Sequence, residues 1–128
     1  MFGWLAKPNL TLPERSALML TIVAASLMAY VRHHEWLNEE HRATVIDNWL
    51  KRNNRKSGLV FRARISQAAD ELARFLVAFH DADEIGELFA FLERAQNSRP
   101  GEFPDDDKAV HALMAECERA LIANGLAA

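Results

Sequence analysis

The sequence predicts an all-α fold: a single compact bundle of about five helices built from two helix-corner-helix hairpins. The chain of 128 residues is long enough for one domain with its own core. Apolar residues recur at helical spacing along most of it. A polar corner at residues 33–43 also recurs at residues 99–109, 66 positions later. Each corner follows an apolar helix and opens an amphipathic one, so two hairpins joined by a further helix make one domain.

Composition excludes several classes of protein. The chain is 50% hydrophobic and 26% charged, as expected of an ordinary soluble protein. Because its formal net charge is -3, it has no general attraction for nucleic acid, and we expect no nucleic-acid partner. The single cysteine, Cys117, cannot form an internal disulfide. Its amphipathic surroundings indicate a small buried residue rather than a reactive thiol.

The first helix has a clear start signal after an N-terminal arm at residues 1–10. Thr11 can cap the helix, and Glu14, three residues later, completes a capping box. Pro13 is tolerated in the first turn, where its missing N–H is not needed. The helix is predicted to continue to about Arg32. Its apolar residues cover most of its faces, which is typical of a helix in the middle of a fold.

A membrane-anchored protein is the alternative, with residues 16–32 inserted and the remainder forming a cytosolic helical domain. The uncharged run at residues 17–31 would cover about 23 Å as a helix, short of the hydrocarbon core of about 30 Å. Thr21, Ser26 and Tyr30 also dilute its hydrophobicity. We therefore interpret the run as a buried helix.

The remaining helices complete a single domain at residues 11–125. Asn38 is the predicted N-cap of the second helix, and the third is predicted from about Ser66. Residues 59–65 are interpreted as a connecting segment or an early helical turn, because a strand there would have no pairing partner. A fourth helix is expected from about Ile85 to Asn97. The last helix follows the second corner, and Asn124 and Gly125 end it.

One basic patch lies between the second and third helices. Its cations could contact phosphate, an anionic lipid head group or an acidic partner. The alternative is a set of ordinary cations at a helix C-terminus and in a soluble linker. The candidate partner-binding or anion-binding residues are Lys51, Arg52, Arg55 and Lys56, with Arg62 and Arg64 downstream.

The two corners carry the candidate metal ligands. Imidazole with carboxylate suits zinc, iron or nickel, and clustered carboxylates suit a hard cation. The alternative is that these acids favour the helix starts on which they lie. The candidates are His34, Glu39, Glu40 and His41 in the first corner, and Glu102, Asp105, Asp106 and Asp107 in the second. No catalytic triad or glycine-rich phosphate loop is present, so we expect no enzyme.

The second corner resembles that of the tellurite-resistance TerB-like family of small all-helical domains. In that family the corner commonly reads Ala-Asp-Gly-Glu, then an apolar residue and a run of acids. The chain keeps Gly101, Glu102, Phe103 and the acids at 105–107, with Pro100 at the motif's aspartate.

The first corner departs further from the family pattern. It keeps the apolar Leu37 and two acids after it. His34 stands at the aspartate, Glu35 at the glycine, and His41 where the last acid would be.

The resemblance covers most of residues 11–125 and implies a function. It implies a non-enzymatic interaction module that binds a protein partner, in the bacterial cytoplasm or at the inner face of the membrane, and acts in a stress response. The corner acids of the family are associated with divalent cations, so a divalent metal is the candidate cofactor. Peripheral membrane association, the oligomeric state and the partner's identity stay open.

Overall fold

The computed structural model describes residues 10–79, 83, 86–87, 90 and 108–127. Its helices are α1 (Leu12–His33), α2 (Glu39–Arg52), α3 (Leu59–Phe79) and α4 (Lys108–Ala123). The described residues contain no strand, so the all-α class is confirmed. They form four helices rather than the predicted five. The predicted helix from about Ile85 to Asn97 falls mainly on residues outside the described part, although Gly86, Glu87 and Ala90 are helical.

The start of α1 has the predicted capping box. The Thr11 side-chain oxygen accepts a hydrogen bond from the Glu14 N–H at 3.3 Å, and the Glu14 carboxylate accepts from the Thr11 N–H at 2.9 Å. At the other end His34 has a left-handed backbone conformation, with φ 57°, and its N–H donates to the Tyr30 carbonyl at 2.8 Å. The corner therefore begins one residue beyond the end of α1.

Helix α1 contacts each of the other three helices, and α3 also contacts α2 and α4. Its fully buried side chains include Leu18, Met19, Ile22 and Val23. It is the one helix among the described residues that is long and apolar enough to cross a membrane. Half of its most apolar 18-residue stretch is buried inside the protein. The core helix of a soluble protein can have the same length and hydrophobicity.

Helix α3 begins at Leu59, earlier than the predicted start at Ser66. The Arg62 N–H donates to the Gly58 carbonyl at 3.1 Å, which closes the first turn. Of the two interpretations of residues 59–65, the early helical turn is therefore right. The apolar period does not reveal this start, because Leu59 is exposed and the first buried residue of α3 is Ile65.

The packed core extends slightly beyond residues 11–125 at both ends. Leu10 and Leu126 are both buried in it. Gly125 has φ 68°, and the Leu126 N–H donates to the Leu121 carbonyl at 2.8 Å. The predicted stop at Asn124 and Gly125 is confirmed, and the chain turns back there so that Leu126 enters the core.

Candidate functional site

Four helix termini meet at one end of the protein. Arg15, at the start of α1, donates from Nε to the Leu10 carbonyl at 2.9 Å and from Nη1 to the Leu126 carbonyl at 2.6 Å. Its guanidinium also lies 5.0 Å from the centre of the Phe61 ring, at the start of α3. These contacts gather the start of α1, the start of α3 and the chain after α4. Together with the end of α2 and the turn at residues 53–58, we call this region the basic end.

The basic end is cationic although the whole chain is acidic. No acidic residue occurs between Asp47 and Asp70 in the sequence. The first turns of α1 and α2 contain acids, whereas the first turn of α3 contains no acid of its own. Six cations lie in this stretch: Lys51, Arg52, Arg55, Lys56, Arg62 and Arg64.

Three of the six cations hold the helices together. Arg55 Nε lies 2.7 Å from the Glu14 carboxylate. Arg62 forms an ion pair with Asp47, and Arg64 donates to the carbonyl of Asn124. Arg55, a predicted partner-binding residue, therefore has much of its charge balanced within the fold.

Glu14 is held in its charged form at this same contact. The backbone N–H of Thr11 lowers the pKa of its carboxyl most, while partial burial opposes the shift. The side chains of Arg55 and Thr11 lower this pKa further. Glu14 is therefore a structural acid of the fold, committed to the cap of α1 and to Arg55.

The other three cations have no such role. Lys51, Arg52 and Lys56 are exposed. Among the residues that the structure describes, none forms a hydrogen bond or an ion pair with these three side chains. Within the described part of the chain, their charges therefore have no direct counter-charge.

Two large aliphatic side chains follow Lys56 in the sequence, after Ser57 and Gly58. Leu59 is 79% exposed and Val60 is 73% exposed, in the first turn of α3. Neither residue is among the candidates predicted from the sequence, because the pattern at residues 59–65 is interpreted only as secondary structure. The signal that could have found them is two consecutive aliphatic residues immediately after a cationic turn.

An open cleft of about 500 Å³ lies between α1 and α2, beside Lys51 and Arg52. Its lining combines the half-buried Val45 with the exposed Lys51 and Arg52. Thr21 also lines it and donates from Oγ1 to the Ala17 carbonyl at 2.8 Å. The exposed Lys51 and Arg52 thus border a concave face between α1 and α2.

The first corner does not gather its candidate metal ligands into a cluster. Its four candidates are all exposed. Asn38 caps α2 and accepts from the His41 N–H at 2.8 Å, so His41 is in the first helical turn. No group of three or more His, Cys, Asp or Glu side chains that could hold a metal occurs among the described residues. The second-corner candidates Glu102, Asp105, Asp106 and Asp107 lie outside those residues.

Aromatic stacking gives the first corner a structural role. Trp36 stacks on Tyr30 with ring centres 4.5 Å apart, and the Arg74 guanidinium lies 5.1 Å from the Trp36 ring. These contacts attach the corner to α1 and α3.

Arg42 adds a polar attachment to the same corner. It donates to the Leu37 carbonyl at 2.6 Å and to Ser66 Oγ at 2.8 Å. Its Nη1 lies 3.5 Å from Asp70 Oδ1, an ion pair too long for a hydrogen bond. The corner is thereby attached to the middle of α3.

Cys117 is buried, as the amphipathic pattern predicts. Burial, with a smaller contribution from the charge of Glu116, raises the pKa of its thiol to about 12. The thiol is therefore protonated at neutral pH and is not a nucleophile.

Comparison of the chain with protein-family models, with curated proteins and with solved structures found no match in any of the three. The TerB-like resemblance therefore stays a prediction that depends on the two corners.

Proposed function

We propose that this chain is a non-enzymatic helical interaction module of the TerB-like type, which binds an acidic protein partner through its basic end. The observation that carries the proposal is the group of three exposed cations, Lys51, Arg52 and Lys56, which no described residue engages. Exposed charges contribute little to stability, so the fold does not require them. Opposite charges do accelerate association and select partners.

The proposal includes the predicted two-hairpin architecture and a location in the bacterial cytoplasm or at the inner face of the membrane. The contact between α1 and α2, which follow one another in the chain, supports the first of these hairpins. The metal-sensitive part of the proposal depends on the resemblance and on the acids at 102–107, since the first corner has no three-ligand group.

The test is a pull-down from the native host with matched variants. Lys51→Gln, Arg52→Gln and Lys56→Gln together remove the free charges and keep side chains compatible with a helix or turn. We expect the wild type to retain a partner at low salt, to release it at high salt, and the triple variant to lose it. The control is Arg119→Gln, an exposed arginine of α4 whose ion pair with Glu116 is within one helix. A partner held equally by wild type and triple variant would contradict the proposal.

A membrane-anchored protein is the second candidate, because α1 has the length and composition of a membrane span. Insertion of residues 16–32 would require buried side chains such as Leu18 and Ile22 to leave the core, and α1 to leave α2, α3 and α4. Cell fractionation without detergent tests it. Recovery of the chain in the membrane pellet after alkaline washing would favour the anchor over the interaction module.

A further inference from the structure

We propose that the partner binds as an acidic amphipathic segment, whose carboxylates pair with Lys51, Arg52 and Lys56 while its apolar side chains cover Leu59 and Val60. This inference rests on the proposed function, because it names the chemistry of the partner at the same basic end. It adds a second set of contact residues, which charge alone would not identify.

The exposure of Leu59 and Val60 has no explanation within the described fold. Both side chains are more than two-thirds exposed, at 79% and 73%. A first helical turn favours acids and capping residues, and valine is a mediocre helix former. Helix propensity favours leucine but not valine, and core packing involves neither side chain, so burial by a partner accounts better for the exposed pair.

The turn that carries them is held firmly by its neighbours. Phe61 packs against the core and lies under the Arg15 guanidinium. Arg62 pairs with Asp47 of α2. With these two residues committed inward, the backbone of the first turn is held in place before any partner arrives. A preordered contact surface loses less conformational entropy on binding.

The charges and the aliphatic side chains lie close together in the chain, and all five residues are exposed. Lys56 precedes Leu59 by three residues, and Lys51 and Arg52 end the helix on the other side of the same turn. A purely acidic partner would leave Leu59 and Val60 in water, and a purely apolar one would strip water from the three cations without pairing them. A segment with both kinds of side chain satisfies both.

An anionic membrane fits these observations less well. Juxtamembrane basic clusters that bind anionic lipid usually contain about four to eight cations. Only three cations of this stretch have no partner among the described residues, because Arg55, Arg62 and Arg64 are engaged by Glu14, Asp47 and Asn124.

The test is fluorescence anisotropy with two labelled synthetic peptides of about 16 residues each, long enough to form a helix. One has Glu and Leu on opposite helical faces, and the other is oligoglutamate. We expect the amphipathic peptide to bind about tenfold more tightly than oligoglutamate. The double variant Leu59→Ser with Val60→Ser should bind the amphipathic peptide about tenfold more weakly than wild type. Its affinity for oligoglutamate should stay within about twofold of the wild-type value.

A matched control lies on the same helix. Phe79 is 72% exposed and lies 20 residues from Leu59, about 30 Å along α3. We expect Phe79→Ser to leave the affinity for both peptides unchanged. Circular dichroism of each variant verifies that the helices are retained. We expect no loss of helix, because substitutions at exposed positions usually change stability little.

The possible failures are distinguishable. Equal affinity for the two peptides, with no effect of the Leu59 and Val60 changes, would overturn this inference and leave the charge-based function standing. Peptide binding that survives the triple glutamine variant, or no peptide binding at all, would overturn both. Binding to phosphatidylglycerol vesicles without binding to either peptide would also overturn both, in favour of a membrane surface.

Discussion

Arg15 donates from Nη1 to the carbonyl of Leu126, 111 residues away in the sequence, at 2.6 Å. The same guanidinium donates from Nε to the carbonyl of Leu10. One buried arginine therefore joins the chain just before α1 to the chain just after α4. Its charge is spread over carbonyl oxygens and the face of Phe61, which compensates part of the cost of burial.

Replacing Arg15 with methionine should destabilise the protein strongly. The side chain keeps much of its apolar length, but the buried carbonyls of Leu10 and Leu126 lose their donors. We expect a loss of about 3 kcal/mol in the free energy of unfolding, measured by urea denaturation. The control is Arg74→Met, at a more exposed arginine, with a loss of about 1 kcal/mol or less. A loss below about 0.5 kcal/mol at Arg15 would show that these bonds do not hold the two ends.

Glu14 should make stability fall in acid. Its carboxyl pKa is lower in the folded chain, chiefly because the Thr11 N–H donates to the carboxylate. The stabilisation is therefore complete above the unfolded pKa of about 4.3 and is lost as pH falls through the lower folded pKa. We expect Glu14→Gln to be less stable than wild type at pH 7 by about 1 kcal/mol, and this difference to vanish in strong acid.

Urea denaturation of both proteins from neutral to strongly acidic pH measures this. Arg55→Gln provides a second comparison, because it removes one of the groups that lower the Glu14 pKa. The pH dependence should weaken in that variant without disappearing. A constant difference between wild type and Glu14→Gln at every pH would exclude the charge of Glu14 as its cause.

Asp70 should be more important for stability than the acid next to it. Asp70 accepts from Arg74 Nε at 3.1 Å and pairs with the largely buried Arg42. We expect Asp70→Ala to lower the free energy of unfolding by about 2 kcal/mol, because the largely buried charge of Arg42 then loses its counter-charge. Glu71→Ala, at an exposed position, should change stability by about 0.5 kcal/mol or less. Equal effects of the two substitutions in thermal denaturation would contradict this assignment.

Cys117 should resist thiol reagents while the protein is folded. Burial raises its pKa to about 12, so at pH 8 the folded thiol is protonated as well as inaccessible. We expect modification at least about 100-fold slower than in urea. The measured rate belongs to Cys117 alone, because the chain has one cysteine. Rapid modification of the folded protein would contradict burial.

The same raised pKa predicts a loss of stability in alkali. Above about pH 8.5 the unfolded thiol ionises while the folded thiol stays neutral until about pH 12. Stability should therefore fall with pH in this window more steeply in wild type than in Cys117→Ala. Parallel pH profiles in urea denaturation would count against this contribution.

The first corner should not be a metal site. His34 and His41 are exposed, and the described residues hold no three-ligand group. Calorimetric titration with zinc, nickel and calcium should give the same heats for wild type and for a variant with alanine at both histidines. Stoichiometric binding that the double variant loses would restore the histidines as ligands.

Local signals in the sequence predicted the helix ends well. The caps at Thr11 and Asn38 and the stop at Gly125 depend on side chains or backbone within a few residues. The start of α3 was placed too late, because its first turn contributes few buried side chains to the apolar period. The histidines of the first corner are predicted as metal ligands from the sequence. The structure shows instead that Trp36 and Arg42 connect this corner to the fold. Contacts across 24 or 111 residues leave no local pattern.

The all-helical class, the caps of α1 and α2 and the presence of one basic stretch follow from local sequence signals. Which cations of that stretch are engaged by other described residues depends on the tertiary contacts. Arg55, Arg62 and Arg64 are engaged because folding brings Glu14, Asp47 and the Asn124 carbonyl to them. Lys51, Arg52 and Lys56 belong to the same stretch and look equivalent in sequence. They differ because, among the described residues, no acid or carbonyl contacts their side chains.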